Sequence, residues 1–107
     1  MARVVVSTMA DADTSEILVH LTTEAGVRTA ERYGALIDAF YDRVSTYPDS
    51  GAPRPRLGRG IRIGLVPPYV ILYEHLPDQD EVLIHRIVHG ARKVTRKLLN
   101  APPADRP

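Results

Sequence analysis

The spacing of apolar residues changes period along the chain, and each change marks an element. Val4, Val5 and Val6 form a short β-branched run ending at Ser7, which reads as a strand whose near-continuous apolarity suits a buried position. Ser7 or Asp11 can cap the helix that follows. In that helix Ala10, Ile17, Leu18 and Leu21 lie on or near one face, the amphipathic pattern is weak, and Gly26 supplies a stop. The next segment is clearer, because Ala30, Tyr33, Ile37, Phe40, Val44 and Tyr47 recur at steps of three or four while most charges fall elsewhere. It predicts a helix of about five turns ended by Pro48, and Gly26 makes the two helices a short hairpin.

Residues 48–60 are rich in Pro, Gly and Arg and hold neither a regular helix nor a central strand, so they are expected to form an ordered connection. Ile61, Ile63 and Leu65 then alternate with Arg62 and Gly64 as a half-buried strand, broken by Pro67-Pro68. Residues 69–75 predict a second strand, 77–80 a turn, and 82–89 a third strand apolar enough on both faces to be central. Such a hairpin sets His75 beside Val82. Residues 91–99 are basic and suit a short helix, and 101–107 read as a tail. The order β-α-α-β-β-β predicts an α+β fold in which a helical hairpin packs on an antiparallel-rich sheet, as a single domain over residues 1–100.

With 107 residues there is room for one core. The chain has no Cys, which removes disulfides, thiolate metal sites and cysteine nucleophiles together and suits a reducing cytoplasm. No apolar run approaches the roughly 18 residues of a membrane span, so no membrane partner is expected. The net charge of +1 is uninformative, but its distribution is not. Residues 1–50 carry four Arg against eight carboxylates, a net of −4, whereas residues 51–107 carry ten Arg and Lys against five carboxylates, a net of +5. The basic half points to an acidic partner, a nucleic acid or a protein that handles one.

Candidate chemistry is sparse. Gly58, Gly60 and Gly64 have the wrong spacing for a phosphate loop and precede a strand, not a helix N-terminus. His85 and His89 share a strand face at about 13 Å separation, too far apart to chelate, and no metal or cofactor is expected. His89, at a strand end beside Gly90, is kept as the one histidine where a polar site opens, against a capping or packing role. No serine lies in a nucleophile elbow, and the carboxylates of the helices read as solvated surface groups. Arg54, Arg56, Arg59, Arg62, Arg86, Arg92, Lys93, Arg96 and Lys97 form a basic set, with Arg86 placed inside a strand where its stem would be packed. Tyr69 and Tyr73 interleave with that set if they face outward, but alternating strand tyrosines more often belong to the core.

Several local sequences, taken in order, resemble the ParE/RelE superfamily of type II toxin–antitoxin toxins: Tyr47-Pro-Asp-Ser-Gly51 after the second helix, Arg54-Pro-Arg-Leu-Gly-Arg-Gly-Ile-Arg62, Tyr69-x-Ile-x-Tyr73 and Val88-His-Gly-Ala-Arg92. The resemblance runs from Arg3 to Leu99. It implies a bacterial toxin, associated with plasmid or genome stabilisation, held inactive by a cognate antitoxin whose C-terminal segment wraps it, an amphipathic helix in a groove suiting that contact. Apolar area left bare near the helical hairpin and sheet edge is expected to follow. Sequence-specific DNA binding is then expected only through the antitoxin, with a toxin dimer or a toxin–antitoxin hetero-oligomer as assemblies.

Within the superfamily, RelE-like members cleave ribosome-bound mRNA with a metal-independent basic and aromatic set. Mapped here, that set needs basic residues at positions 62, 64, 70 and 92 and an aromatic near 98, whereas the chain has Arg62, Gly64, Val70, Arg92 and Leu98. The ParE-like branch, whose members poison DNA gyrase without catalytic residues, is similar in the His-Gly-x-Arg end. Its implied target-binding residues are Arg92, Lys93, Arg96 and Lys97. The alternatives are a ribosome-dependent endonuclease using His89, Arg62 and Arg92, and an inactive relative that only binds its antitoxin.

Overall fold

A computed structural model describes residues 1–91 and 94–99 of the chain. Strand β1 (Arg3–Val6) leads into helix α1 (Thr8–Ala25), then α2 (Val27–Thr46), β2 (Ala52–Pro53), β3 (Ile61–Val66), β4 (Tyr69–Leu76) and β5 (Glu81–His89). Single 3-10 turns lie at Pro77–Gln79 and Arg96–Leu99. Ser7 is the α1 cap: its hydroxyl oxygen accepts the Ala10 N–H at 3.0 Å, and the hydroxyl donates to the His85 carbonyl at 2.9 Å. Gly26 joins the helices at φ 94°, a left-handed conformation that costs a glycine little. No helix among the described residues is long and apolar enough to cross a membrane.

The sheet order is β1-β5-β4-β3-β2, with β1 parallel to β5 and the other pairs antiparallel. β5 is central, as its two-sided apolarity predicts, and His75 stands opposite Val82. β1 differs from expectation. It is an edge strand with β5 on one side alone, so its valines are half-buried or exposed. Two faces of the sheet are covered. On one, Ala10 of α1 and Ile37, Phe40 and Val44 of α2 pack against Tyr69, Ile71, Tyr73, Val82, Ile84 and Ile87. Both strand tyrosines are therefore core residues. Gly64 is required here, since a Cβ at that position would lie 2.2 Å from the Phe40 ring. Tyr47, which continues the apolar period of α2, is instead 65% exposed, because the helix ends at Thr46 and Tyr47 leaves the packed stripe.

The second face carries a layer that a helical hairpin alone does not provide. Leu57 from the 54–60 connection and Leu98 from the C-terminal segment cover Ile61, Leu72 and Val88, with Val94 and Leu99 at the margin. Among the described residues of the C-terminal segment, 94–95 are not part of the basic helix expected over 91–99, and the regular element is the turn at Arg96–Leu99, where the Leu98 N–H donates to the Thr95 carbonyl at 3.0 Å.

β5 also contains a bulge. Leu72 faces Arg86 but Tyr73 faces Ile84, so His85 is the extra residue. An inserted residue reverses the alternation of side chains beyond it, and Val82, Ile84 and Ile87 accordingly all join the helix-side core. His85 and His89 therefore do not share a face, contrary to the unbroken-strand reading: His85 bonds Glu74 at 3.0 Å, and His89 packs edge-on against Tyr69.

Tyr41 illustrates the cost of imperfect packing between α1 and α2. Its hydroxyl oxygen is buried beside the Thr14 side chain without a well-formed hydrogen bond, and burial, only partly offset by Thr14, pushes its pKa up to about 12. The Tyr41→Phe variant is expected to match or exceed the parent in stability by about 1 kcal/mol, because an orphaned polar group is removed. The folded phenol holds its proton to about pH 12, whereas an unfolded tyrosine ionises near 10. Stability is thus fully present below pH 10 and declines as pH rises toward 12. Urea melts across that range should show a shallower decline for Tyr41→Phe.

Candidate functional site

β1 stops at Val6, opposite Ile84, so from His85 onward the outer edge of β5 has no neighbouring strand among the described residues. Polar side chains take over there. The Ser7 N–H donates to the Ile84 carbonyl at 3.0 Å, and Asp13 of α1 accepts the Ile87 N–H at 3.0 Å in place of the next ladder bond. Asp13 also receives Arg86 as a fork, Nε to Oδ2 at 2.7 Å and Nη2 to Oδ1 at 3.0 Å. The remaining Nη1 of Arg86 donates to the Leu98 carbonyl at 2.5 Å.

Asp13 is 1% exposed and Arg86 0%. The expectation that the helix carboxylates are solvated thus fails at Asp13, and Arg86 is no part of a basic surface. The physical reason is mutual: a guanidinium inside an apolar strand requires a buried counter-charge, and α1 crosses the strand where Asp13 can supply it. Arg86 in Val82-Leu-Ile-His-Arg-Ile-Val-His89 was the sequence signal for such a partner, although it does not say which carboxylate answers.

Of the cations expected to contact a target, Arg96 lies exposed on the C-terminal turn. Arg92, Lys93 and the side chain of Lys97 lie outside the described residues. The turn that carries Arg96 is fixed from beneath, by the burial of Leu98 (4% exposed) and by the Arg86 bond to its carbonyl.

Of the residues of the nuclease alternative, Arg62 and His89 are not brought together, and Arg92 lies outside the described residues. Arg62 donates through Nη1 to the carbonyls of Asp49 at 2.9 Å and Gly51 at 2.8 Å, and its Nε lies 3.5 Å from the Asp49 carboxylate. That carboxylate also bonds His75 at 2.9 Å, and Tyr73 accepts the Gly51 N–H at 2.8 Å. Arg62 thus pins the turn after α2. It pairs with Tyr73 on β4, whereas His89 pairs with Tyr69, four residues along the same strand, or about 13 Å at strand rise. His89 accepts the Ala91 N–H on Nδ1 at 3.0 Å, which is the capping role. Leu98 is core, and Val70 is partly buried beside it. Among the described residues no three His, Asp or Glu side chains gather as a metal site.

A cleft of about 480 Å³ opens beside the free part of β5, between α1 and the β4–β5 end. Ile17, Leu21, Tyr69, Ile87 and Val88 form its apolar walls, with His20 and His89 also lining it. The sequence pointed to one side of it, through the polar site expected at His89, but not to the α1 wall, because those residues belong to a weakly amphipathic helix.

No curated protein matches the chain. A solved structure described as the chromosomal ParDE TA system from P. aeruginosa is similar, with a TM-score of 0.70 at 23% identity, covering 83% of this chain and 96% of that one, a likeness that establishes the fold. The family model for the ParE toxin of the type II toxin–antitoxin system parDE matches residues 4–94. Since that match takes in both helices and all but the first residue of the five-stranded sheet, the chain belongs to the ParE toxin family of type II toxin–antitoxin systems.

Proposed function

We propose that this ParE-family toxin acts by binding DNA gyrase and blocking its cycle, without catalytic residues of its own, and that a cognate antitoxin neutralises it. The observation that carries this reading against RNA cleavage is the commitment of Arg62. A residue that must stabilise phosphoryl charge needs donors aimed at the substrate, and Arg62 instead turns Nη1 to the Asp49 and Gly51 carbonyls and Nε to the Asp49 carboxylate. The basic half of the chain supports attraction to a nucleic-acid-handling target, with Arg92, Lys93, Arg96 and Lys97 as the contact residues.

Two features support an antitoxin partner. Val19, Val27 and Leu36 on the helices, Val6 on the edge strand and Leu65 on β3 are exposed large apolar residues. The cleft between α1 and β5 offers apolar walls to a side chain inserted from a partner segment. The similar structure is itself described as a ParDE system.

The test is expression of the chain without an antitoxin, with supercoiling by purified gyrase assayed and transcript ends mapped in the same cells. Loss of supercoiling with intact transcripts is the expected result. Codon-phased mRNA cuts with normal supercoiling would overturn the gyrase reading in favour of the endonuclease.

A further inference from the structure

The Arg86–Asp13 pair is an expensive way to fill a core. Replacing a buried ion pair by apolar residues of similar volume is often neutral or stabilising, so its presence asks for a role other than stability. Its geometry suggests one. Two of the three Arg86 donor atoms hold Asp13 on α1, and the third reaches the Leu98 carbonyl in the C-terminal segment. That segment has little to fix it by itself. Among its described residues the regular part is a 3-10 turn at Arg96–Leu99, too short to be stable alone. The contacts of Val94, Leu98 and Leu99 with the second sheet face are apolar and non-directional, so they hold the segment down without setting its register. A planar guanidinium already locked on a carboxylate is directional. It designates one carbonyl, that of Leu98, two residues beyond the exposed Arg96.

We propose that Arg86 is a positioning residue that indexes the C-terminal segment against α1 through Asp13, setting where Arg96 is presented to the target. The target half of this statement rests on the gyrase reading above; the indexing half does not. Charged contacts reward a cation held in place before encounter, because otherwise the ordering cost is met at binding.

The experiment uses the full chain with Asp13→Leu and Arg86→Met combined, which keeps the site filled and leaves no buried charge. The absence of Cys allows clean labelling. Spin labels at Val19→Cys on α1 and Arg96→Cys report the position of the segment, and labels at Val19→Cys and Leu65→Cys, both exposed, report the body of the fold. The expected result is cooperative unfolding close to that of the parent, an unchanged Val19–Leu65 distance distribution and a broadened or displaced Val19–Arg96 distribution. In the unlabelled double variant, the concentration needed for half-inhibition of gyrase should rise at least tenfold. An unchanged Val19–Arg96 distribution, or unchanged inhibition with a displaced one, overturns the proposal. If the double variant does not fold, Arg86→Lys takes its place with the same expectations, since an ammonium retains the charge but lacks the fork that serves both partners. If the parent chain itself fails to inhibit gyrase, the gyrase reading falls, and the two distance distributions alone decide the indexing.

Discussion

Asp13→Ala is expected to lower the unfolding free energy by about 3–5 kcal/mol, the usual cost of stripping one partner from a buried pair. The carboxylate accepts from Arg86 Nε, Arg86 Nη2 and the Ile87 N–H. Its removal strips the buried guanidinium of its bidentate carboxylate in a site closed to water and leaves the Ile87 N–H without that acceptor. For a domain whose whole stability is about 5–15 kcal/mol, such a loss approaches unfolding. Asp11→Ala is the matched control, two residues away in the same helix and exposed, and it should change little. Urea denaturation with both variants checks this: the midpoint should fall sharply for Asp13→Ala at an unchanged slope. A midpoint near the parent value would mean that the pair is not as closed to solvent as its burial states.

Arg92→Ala combined with Arg96→Ala is expected to abolish toxicity and gyrase inhibition while leaving the melting temperature nearly unchanged. Arg96 is exposed, and substitutions of exposed residues away from buried networks are usually worth no more than about 0.5 kcal/mol. Contacts of this kind depend on salt, so inhibition by the parent chain should weaken as ionic strength rises through the range where the Debye length falls below about 10 Å. A supercoiling assay at several salt concentrations reads both effects. Should the double variant remain fully toxic while His89→Ala is harmless with its fold intact, the strand-end site would be the functional element and the endonuclease reading would gain.

The elements most legible in the sequence are those where one period dominates. α2 repeats its apolar residues along one stripe, and Ile37, Phe40 and Val44 are indeed core. The β4–β5 hairpin is legible because its turn residues and flanking apolar runs fix the register that brings His75 to Val82. What escaped was set by neighbours distant in sequence. Asp11, Asp13 and Glu16 look alike on a helix, and only the crossing of α1 over the end of β1 buries the middle one. The three valines of β1 carry strand propensity, which is blind to whether the strand lies at the centre or the edge of a sheet. The bulge at His85 leaves no mark in composition, yet it separates two histidines that simple alternation places together. For the site, Arg62 was legible as a cation but not as one occupied by two backbone carbonyls, since those bonds depend on how the turn after α2 folds back.

The parallel pairing of β1 with β5 has a consequence for the order of synthesis. Val4 is matched to Val82 and Val6 to Ile84, so the earliest strand to leave the ribosome waits 78 residues for its partner. At about 5–20 residues per second that delay is about 4–16 s, and Asp13 waits nearly as long for Arg86. Throughout it, the helical hairpin can form local turns but has no completed sheet on which to lie. A polypeptide terminated before residue 81 would lack the central strand, leaving β1 without the neighbour to which it pairs. The central strand and the buried ion pair therefore complete the fold together, late in each round of translation.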